Sequence, residues 1–229
     1  MDKSTGSPSS FSQWAYRSRR DRDTHGPGDT LCDENDDWFW MDYFGHLAGE
    51  VPDDCWRIGC ININRLPADP DSADHSIFFQ DIINYNLDVV LMQEVGLNWR
   101  SVGLPRNFQS RLDKYMEPGQ TCSKMGWNEV AASHTNSQWG GTGVMAHGKM
   151  KHFRLNAATD KARMGRWTWA RFRGKHGVIL RVVSIYQPTK TEEEEGSVWN
   201  QHMTALNLNN DGRNPRQAFM EDLKKEMEE

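Results

Sequence analysis

Glu94 follows Val89-Val90-Leu91-Met92-Gln93, a run that reads as a short strand buried on both faces. A carboxylate in that place must be paired, protonated or bound to a cation, unless it is simply an exposed strand end. Bound to a hard divalent cation it would suit phosphodiester hydrolysis. That chemistry needs oxygen ligands, a donor for the non-bridging phosphate oxygens, and a group that orients or activates water. Asn62 is the second candidate. It closes the apolar, branched stretch RIGCININ that begins at Arg57, where an asparagine is either a site residue or a turn former.

The other reactive side chains form no constellation. His147 and His152 stand five apart (152 − 147), unlike the helical pair of zinc hydrolases, and His202 falls on an ordinary polar helix. Four cysteines, Cys32, Cys55, Cys60 and Cys122, show no paired spacing and read as free thiols in a reducing compartment. The net charge of -5 gives no global signal for a polyanion, so such a partner must meet a local basic patch. The ten tryptophans include several in polar surroundings, which points to exposed aromatic surface or an incomplete fold.

The elements that must position these residues follow from pattern. RIGCININ predicts a strand, Asp74 caps a helix carrying Ile77, Phe78, Ile82 and Tyr85, and DVVLMQEV predicts the next strand. This is a βαβ-like unit, and in open α/β sheets functional groups collect at strand C-termini, where Asn62 and Glu94 lie. Strands are expected over 128–134 and, after Gly140-Gly141, over 142–147. Trp167–Arg173 and Val178–Tyr186 make a hairpin. Thr191 caps a helix running to Leu206, with Glu192 to Glu195 near its N-terminal dipole. Asn214 and Pro215 open a final helix with Phe219, Leu223 and Met227 on one face.

Residues 1–36 are polar and aperiodic and read as disordered. The mixed run Arg17–Asp23 is a solvated tail or a nucleic-acid arm or import signal. The aromatic stretch DDWFWMDYFGHL (36–47) either packs on the domain or serves as an interaction motif. No signal-peptide core and no apolar run near the ~20 residues of a membrane span are present. The expectation is an intracellular protein of the nucleus or cytoplasm, with no membrane partner.

Taken in order, five motifs resemble the endonuclease/exonuclease/phosphatase superfamily, in its deoxyribonuclease-like and apurinic-endonuclease-like forms. Asn62 after IGCI is followed 32 positions later (94 − 62) by Glu94 in LMQE. Then come GGTGV (Gly140–Val144), Arg166 ahead of WTWARF, and VVSIYQP (Val182–Pro188). The resemblance implies that Glu94 binds Mg²⁺ (or Mn²⁺) and that Asn62 organises the metal. It makes Arg166, or alternatively Arg171 or Arg163, the basic residue near the substrate phosphate. It gives the Tyr186 hydroxyl a contact with the scissile phosphate. Two positions depart from the pattern: Asn64 stands where some apurinic endonucleases have Asp, and Thr189 where the family often has Asn.

The resemblance runs from Trp56 to the C-terminus. It implies an α/β fold that is part of a four-layer α/β/β/α sandwich, over residues 51–229, behind a weakly ordered tail at 1–50. The family's later Gly-Asp-x-Asn and Asp-His motifs have no counterpart before Glu229, and Asn209-Asn210-Asp211-Gly212 follows no apolar strand. The expectation is therefore the N-terminal half of a Mg-dependent nuclease domain, of retrotransposon-like origin, impaired alone. Nucleic acid is the implied partner, and self-association or a partner chain would cover the incomplete sheet. The alternatives are a non-catalytic remnant or nucleic-acid-binding module, and an unrelated α/β interaction protein. Substrate class stays open among DNA, RNA, inositol phosphate and other phosphodiesters.

Overall fold

The computed structural model describes residues 55–130, 135–190 and 196–229. The tail and aromatic segment of residues 1–50, Cys32, and Thr191 with Glu192 to Glu195 lie outside the described residues.

Branched apolar side chains at 58–62 and 89–93 form β1 (Ile58–Asn62) and β2 (Val89–Gln93). They pair in parallel, with Ile58 opposite Val89 and Asn62 opposite Gln93. Parallel neighbours need a crossover, and α1 (Ala73–Asn84) supplies it. Its cap is Ser72 rather than Asp74: the Ser72 hydroxyl accepts from the Asp74 amide at 3.3 Å. The buried face is accordingly His75, Phe79 and Ile82, and Ile77 is exposed. The helical period was legible but its phase was not.

On the other side of β2, β4 (Thr142–His147) pairs antiparallel, and β3 (Thr121–Gly126) pairs antiparallel to β4, giving the order β1-β2-β4-β3. The strand expected at 128–134 is not found in the described part of that segment, where Asn128 makes an isolated bridge to Met164. A second sheet is built from β5 (Arg154–Thr159), β6 (Trp167–Arg173) and β7 (Ile179–Ile185), in that order. The β6–β7 hairpin pairs from Trp167 with Ile185 to Arg173 with Ile179. The remaining helices are α2 (Trp99–Val102), α3 (Phe108–Tyr115), α4 (Lys149–Phe153), α5 (Val198–Leu208) and α6 (Pro215–Glu228). Ser197 caps α5, and Asn214 with Pro215 opens α6 as the sequence implies; Met227 is exposed, so the α6 inner face is Ala218, Phe219 and Glu226.

The period of two along β2 assigns its faces. Val89, with Val144 and Ala146 of β4, packs against Ala170, Phe172 and Val182, so the two sheets meet face to face. Val90 and Met92 turn the other way, onto Phe79 and Ile82 of α1 and Phe108 and Leu112 of α3. Beyond the second sheet, Trp167 and Trp169 pack on Phe219 of α6. Each such large side chain contributes about 1.5–3 kcal/mol by burial. Polar contacts fix the sheets at one end: Ser184 Oγ donates to the Met92 carbonyl at 2.6 Å, and Gln93 Nε2 donates to Ser184 Oγ at 3.2 Å. That end carries Glu94.

Gly165 must be glycine. Its φ is +71°, and a Cβ there would lie 2.7 Å from the backbone carbonyl carbon of Trp127. Gly165→Ala is expected to lower stability by at least about 2 kcal/mol, from the left-handed penalty and the backbone collision together. Gly119→Ala is the control, since its φ is +80° but nothing lies within 4 Å. Equal urea midpoints for the two variants would contradict the collision.

Candidate active site at the junction of the two sheets

Where β1 and β2 end, the chain adopts backbone conformations that most residues avoid. Asn64 (φ 50°), Arg65 (φ 76°) and Glu94 (φ 51°) are left-handed, as are Gly96, Gly140 and Gly141. Non-glycine residues in that region cost on the order of 1–3 kcal/mol each and persist where their surroundings over-determine them. Here a ladder of amides does so. Ile63 N donates to Gln93 O at 3.0 Å, Arg65 N to Glu94 O at 2.7 Å, and Gly96 N to Gly140 O at 2.8 Å. A Cβ on Gly96 would sit 2.9 Å from the Arg65 Cα, so the two strand ends meet as closely as backbone allows.

Tyr186 arrives from the other sheet. Its amide donates to the Arg166 carbonyl at 2.8 Å, extending the hairpin by one residue. Its ring lies against Gly140, where a Cβ would be 3.3 Å from Cε1. The phenol titrates above its ordinary range, first because it is half-buried and then because the Glu94 carboxylate lies within electrostatic reach. Two of the expected site residues, from different sheets, therefore share one rim. Among the described residues the Glu94 carboxylate has no hydrogen bond or ion pair, although it is partly buried.

Asn62 ends the adjacent strand, exposed, and its Oδ1 accepts from the Asn64 amide at 3.0 Å. Its side chain closes the turn that follows β1, one strand away from Glu94.

Arg166 departs from expectation. It is only 1% exposed, and its Nε and Nη2 grip Asp160 in a fork at 2.6 and 2.8 Å. Nη2 also reaches Asp222 of α6 at 2.9 Å. The backbone of Arg166 serves the rim, whereas its guanidinium is committed to an internal ion-pair knot. Neither alternative replaces it there: Arg171 lies over Trp169 at 5.0 Å, and Arg163 is exposed beside Glu129 at 3.8 Å. The cation whose backbone is bonded to Glu94 is Arg65, whose guanidinium lies 3.3 Å from the centre of the Trp139 ring. Sequence reasoning missed it; tryptophan in a polar stretch was the available signal. His202 is also corrected. It is buried, its Nε2 donates to the Met164 carbonyl at 3.0 Å, and burial lowers its pKa to about 4.

No family model matches the sequence, and no curated protein matches it. Among solved structures, an AP endonuclease from Archaeoglobus fulgidus aligns at 12% identity over 67% of this chain and 48% of its own, with a TM-score of 0.39. An endonuclease/exonuclease/phosphatase family protein from Leptotrichia buccalis aligns at 14% identity over 65% and 61%, with a TM-score of 0.40. An endonuclease/exonuclease/phosphatase from Beutenbergia cavernae aligns at 12% identity over 69% and 43%, with a TM-score of 0.38. The chain spans about half the length of the solved structures it matches. Likenesses this shallow carry no argument about fold or activity. No helix among the described residues is long and apolar enough to cross a membrane.

Proposed function

We propose that the chain carries part of a metal-dependent phosphodiesterase site of the endonuclease type, acting on nucleic acid, within a four-layer α/β/β/α scaffold. One observation carries this reading: Glu94, held on a left-handed backbone with its carboxylate free of hydrogen bonds and ion pairs among the described residues, shares a rim with Tyr186 of the other sheet. The donor set suits Mg²⁺ or Mn²⁺, because such ions keep several waters and take one or two carboxylates from the protein. Glu94 would be the anchor, with Asn62 oriented by its turn to organise that side of the site. The metal, when bound, supplies charge stabilisation of the phosphate and an acidified water. Tyr186 offers a hydroxyl held protonated, since its titration is pushed upward, and so donates to a phosphate oxygen. The described residues contain no group of three His, Cys, Asp or Glu that could hold a metal alone, so Glu94 supplies one side of the site only.

Plasmid nicking tests this. With Mg²⁺ or Mn²⁺ the purified chain is expected to relax supercoiled DNA. Glu94→Gln should lower the rate at least about 100-fold, in line with the loss of one strong transition-state interaction. Absence of cleavage under both metals overturns the reading. Salt-sensitive DNA binding without turnover would establish the binding-module alternative instead. Exposed Ile58, Ile179 and Ile185 on edge strands β1 and β7 support a covering partner or a second copy.

A further inference from the structure

Arg65 and Trp139 form a cationic stack on the rim that carries Glu94 and Tyr186. We propose that this stack grips a backbone phosphate of nucleic acid, next to the one that reaches Glu94. Arg65 binds the anion, and Trp139 is the positioning residue that holds Arg65. The class of ligand rests on the nucleic-acid reading above; the placement of the cation stands on its own geometry.

The backbone ties Arg65 to the site. Its amide donates to the Glu94 carbonyl at 2.7 Å, and the next amide, of Leu66, donates to the Val95 carbonyl at 2.8 Å. The side-chain stem then crosses Gly96, where a Cβ would meet Arg65 Cγ at 2.6 Å. Only a residue without a side chain leaves that path open. The guanidinium comes to rest 3.3 Å from the centre of the Trp139 ring. Trp139 precedes Gly140, the residue against which the Tyr186 ring lies. The cation is therefore held among the strand ends that present both candidate site residues.

The chemistry of the stack favours phosphate. Contact with an aromatic ring occupies the π face of a guanidinium and leaves its in-plane N–H donors free. Arg65 is exposed, and among the described residues its side chain makes no hydrogen bond or ion pair. Arg166 and Arg213, by contrast, are committed to carboxylates. The chain around Trp139 offers no neutralising charge, since residues 130–159 contain no Asp or Glu. A fork of donors already fixed in place matches two oxygens of one phosphate, and its ordering cost is met before the ligand arrives. The stack also accounts for a tryptophan that is 46% exposed in a polar stretch.

Fluorescence anisotropy of a labelled DNA duplex in EDTA, over a series of salt concentrations, tests this without cleavage. The expected result is saturable binding that Arg65→Gln weakens at least about tenfold. The dependence of log affinity on log salt should flatten by about one in that variant, the loss of a single phosphate contact. Arg65→Lys keeps the charge and should restore the slope with only part of the affinity. Trp139→Leu should lower affinity at an unchanged slope, because it loosens the cation without removing it. A partial loss of fold would change the bound fraction and not the slope, so the slope decides. Arg173→Gln is the control, since Arg173 is exposed opposite Ile179, at the hairpin end away from Tyr186. Wild-type affinity and slope in Arg65→Gln, an equal effect of Arg173→Gln, or no duplex binding by the wild type overturns the proposal. Plasmid nicking with Mg²⁺ separates the two ideas. Nicking by the wild type, with DNA binding unchanged in Arg65→Gln, sinks the stack and leaves the active-site reading standing; no nicking, with the slope lost in Arg65→Gln, does the reverse.

Discussion

Arg166→Met is expected to cost about 3–5 kcal/mol of stability, the range for removing one partner of a buried ion pair. The side chain and its Asp160 partner are each 1% exposed. Without the guanidinium, the Asp160 carboxylate loses the cation it is forked to in a site closed to water, and Asp222 loses one of two cations. Arg213 holds the second, its Nη1 lying 2.9 Å from Asp222 Oδ1. Domains of this size are stable by only about 5–15 kcal/mol, so the variant should unfold at a far lower urea concentration. Adding Asp160→Asn should recover a substantial part of the loss, because the penalty lies in the stranded carboxylate. If Arg166→Met kept its urea midpoint but lost affinity for nucleic acid, the phosphate role suggested by the sequence would be right and the buried knot would not matter.

Acidification should weaken the fold through His202 well before carboxylates titrate. The folded state holds this imidazole neutral, with a pKa of about 4 against an ordinary 6.5. Burial is the main cause; Arg166 adds to it, and Asp160 and the Met164 carbonyl oppose it. Above pH 6.5 both folded and unfolded chains carry the neutral ring, and the full stability is present. As pH falls toward 4 the unfolded chain takes up a proton that the folded chain refuses. Stability therefore drops by about 1.4 kcal/mol per unit, or roughly 3 kcal/mol over the window. His75, also shifted downward by burial and by Arg111, adds loss of the same sign. His202→Gln, which keeps a donor for the Met164 carbonyl, should flatten the dependence of the urea midpoint between pH 7 and 4.5. Identical slopes for wild type and variant would remove His202 as the cause.

What the sequence disclosed, and what it hid, follows from the range of the forces involved. β2, β4 and the β6–β7 hairpin were legible because their apolar residues are consecutive or alternate within one strand. β3 and β5 were not. TCSKMG and RLNAAT lie at sheet edges, where pairing on one side supports a strand with little apolar content of its own. The cap of α6 was local and readable; that of α1 depended on which of two neighbouring residues turned extended. At the site, Glu94 stood out because a carboxylate ended a buried run. Arg166 misled because its burial is tertiary: Asp160 lies six residues away, but the second partner, Asp222, lies 56 residues away on a helix whose docking no local pattern encodes. Arg65 escaped notice because its place depends on the turn after β1 and on Trp139, which tertiary folding brings over it.

The contact between Cys60 and Gln93 gives the rim a chemical handle. Gln93 Nε2 lies 3.3 Å from the Cys60 sulfur, and Cys60 is exposed, whereas Cys122 is buried with its thiol pushed upward in pKa. Thiolate chemistry is therefore steered away from Cys122. With Cys32 and Cys55 replaced by serine, a maleimide dye would be directed to a sulfur touching the residue next to Glu94. Cations and oligonucleotides could then be followed optically as they reach the strand ends, with every candidate site residue left in place.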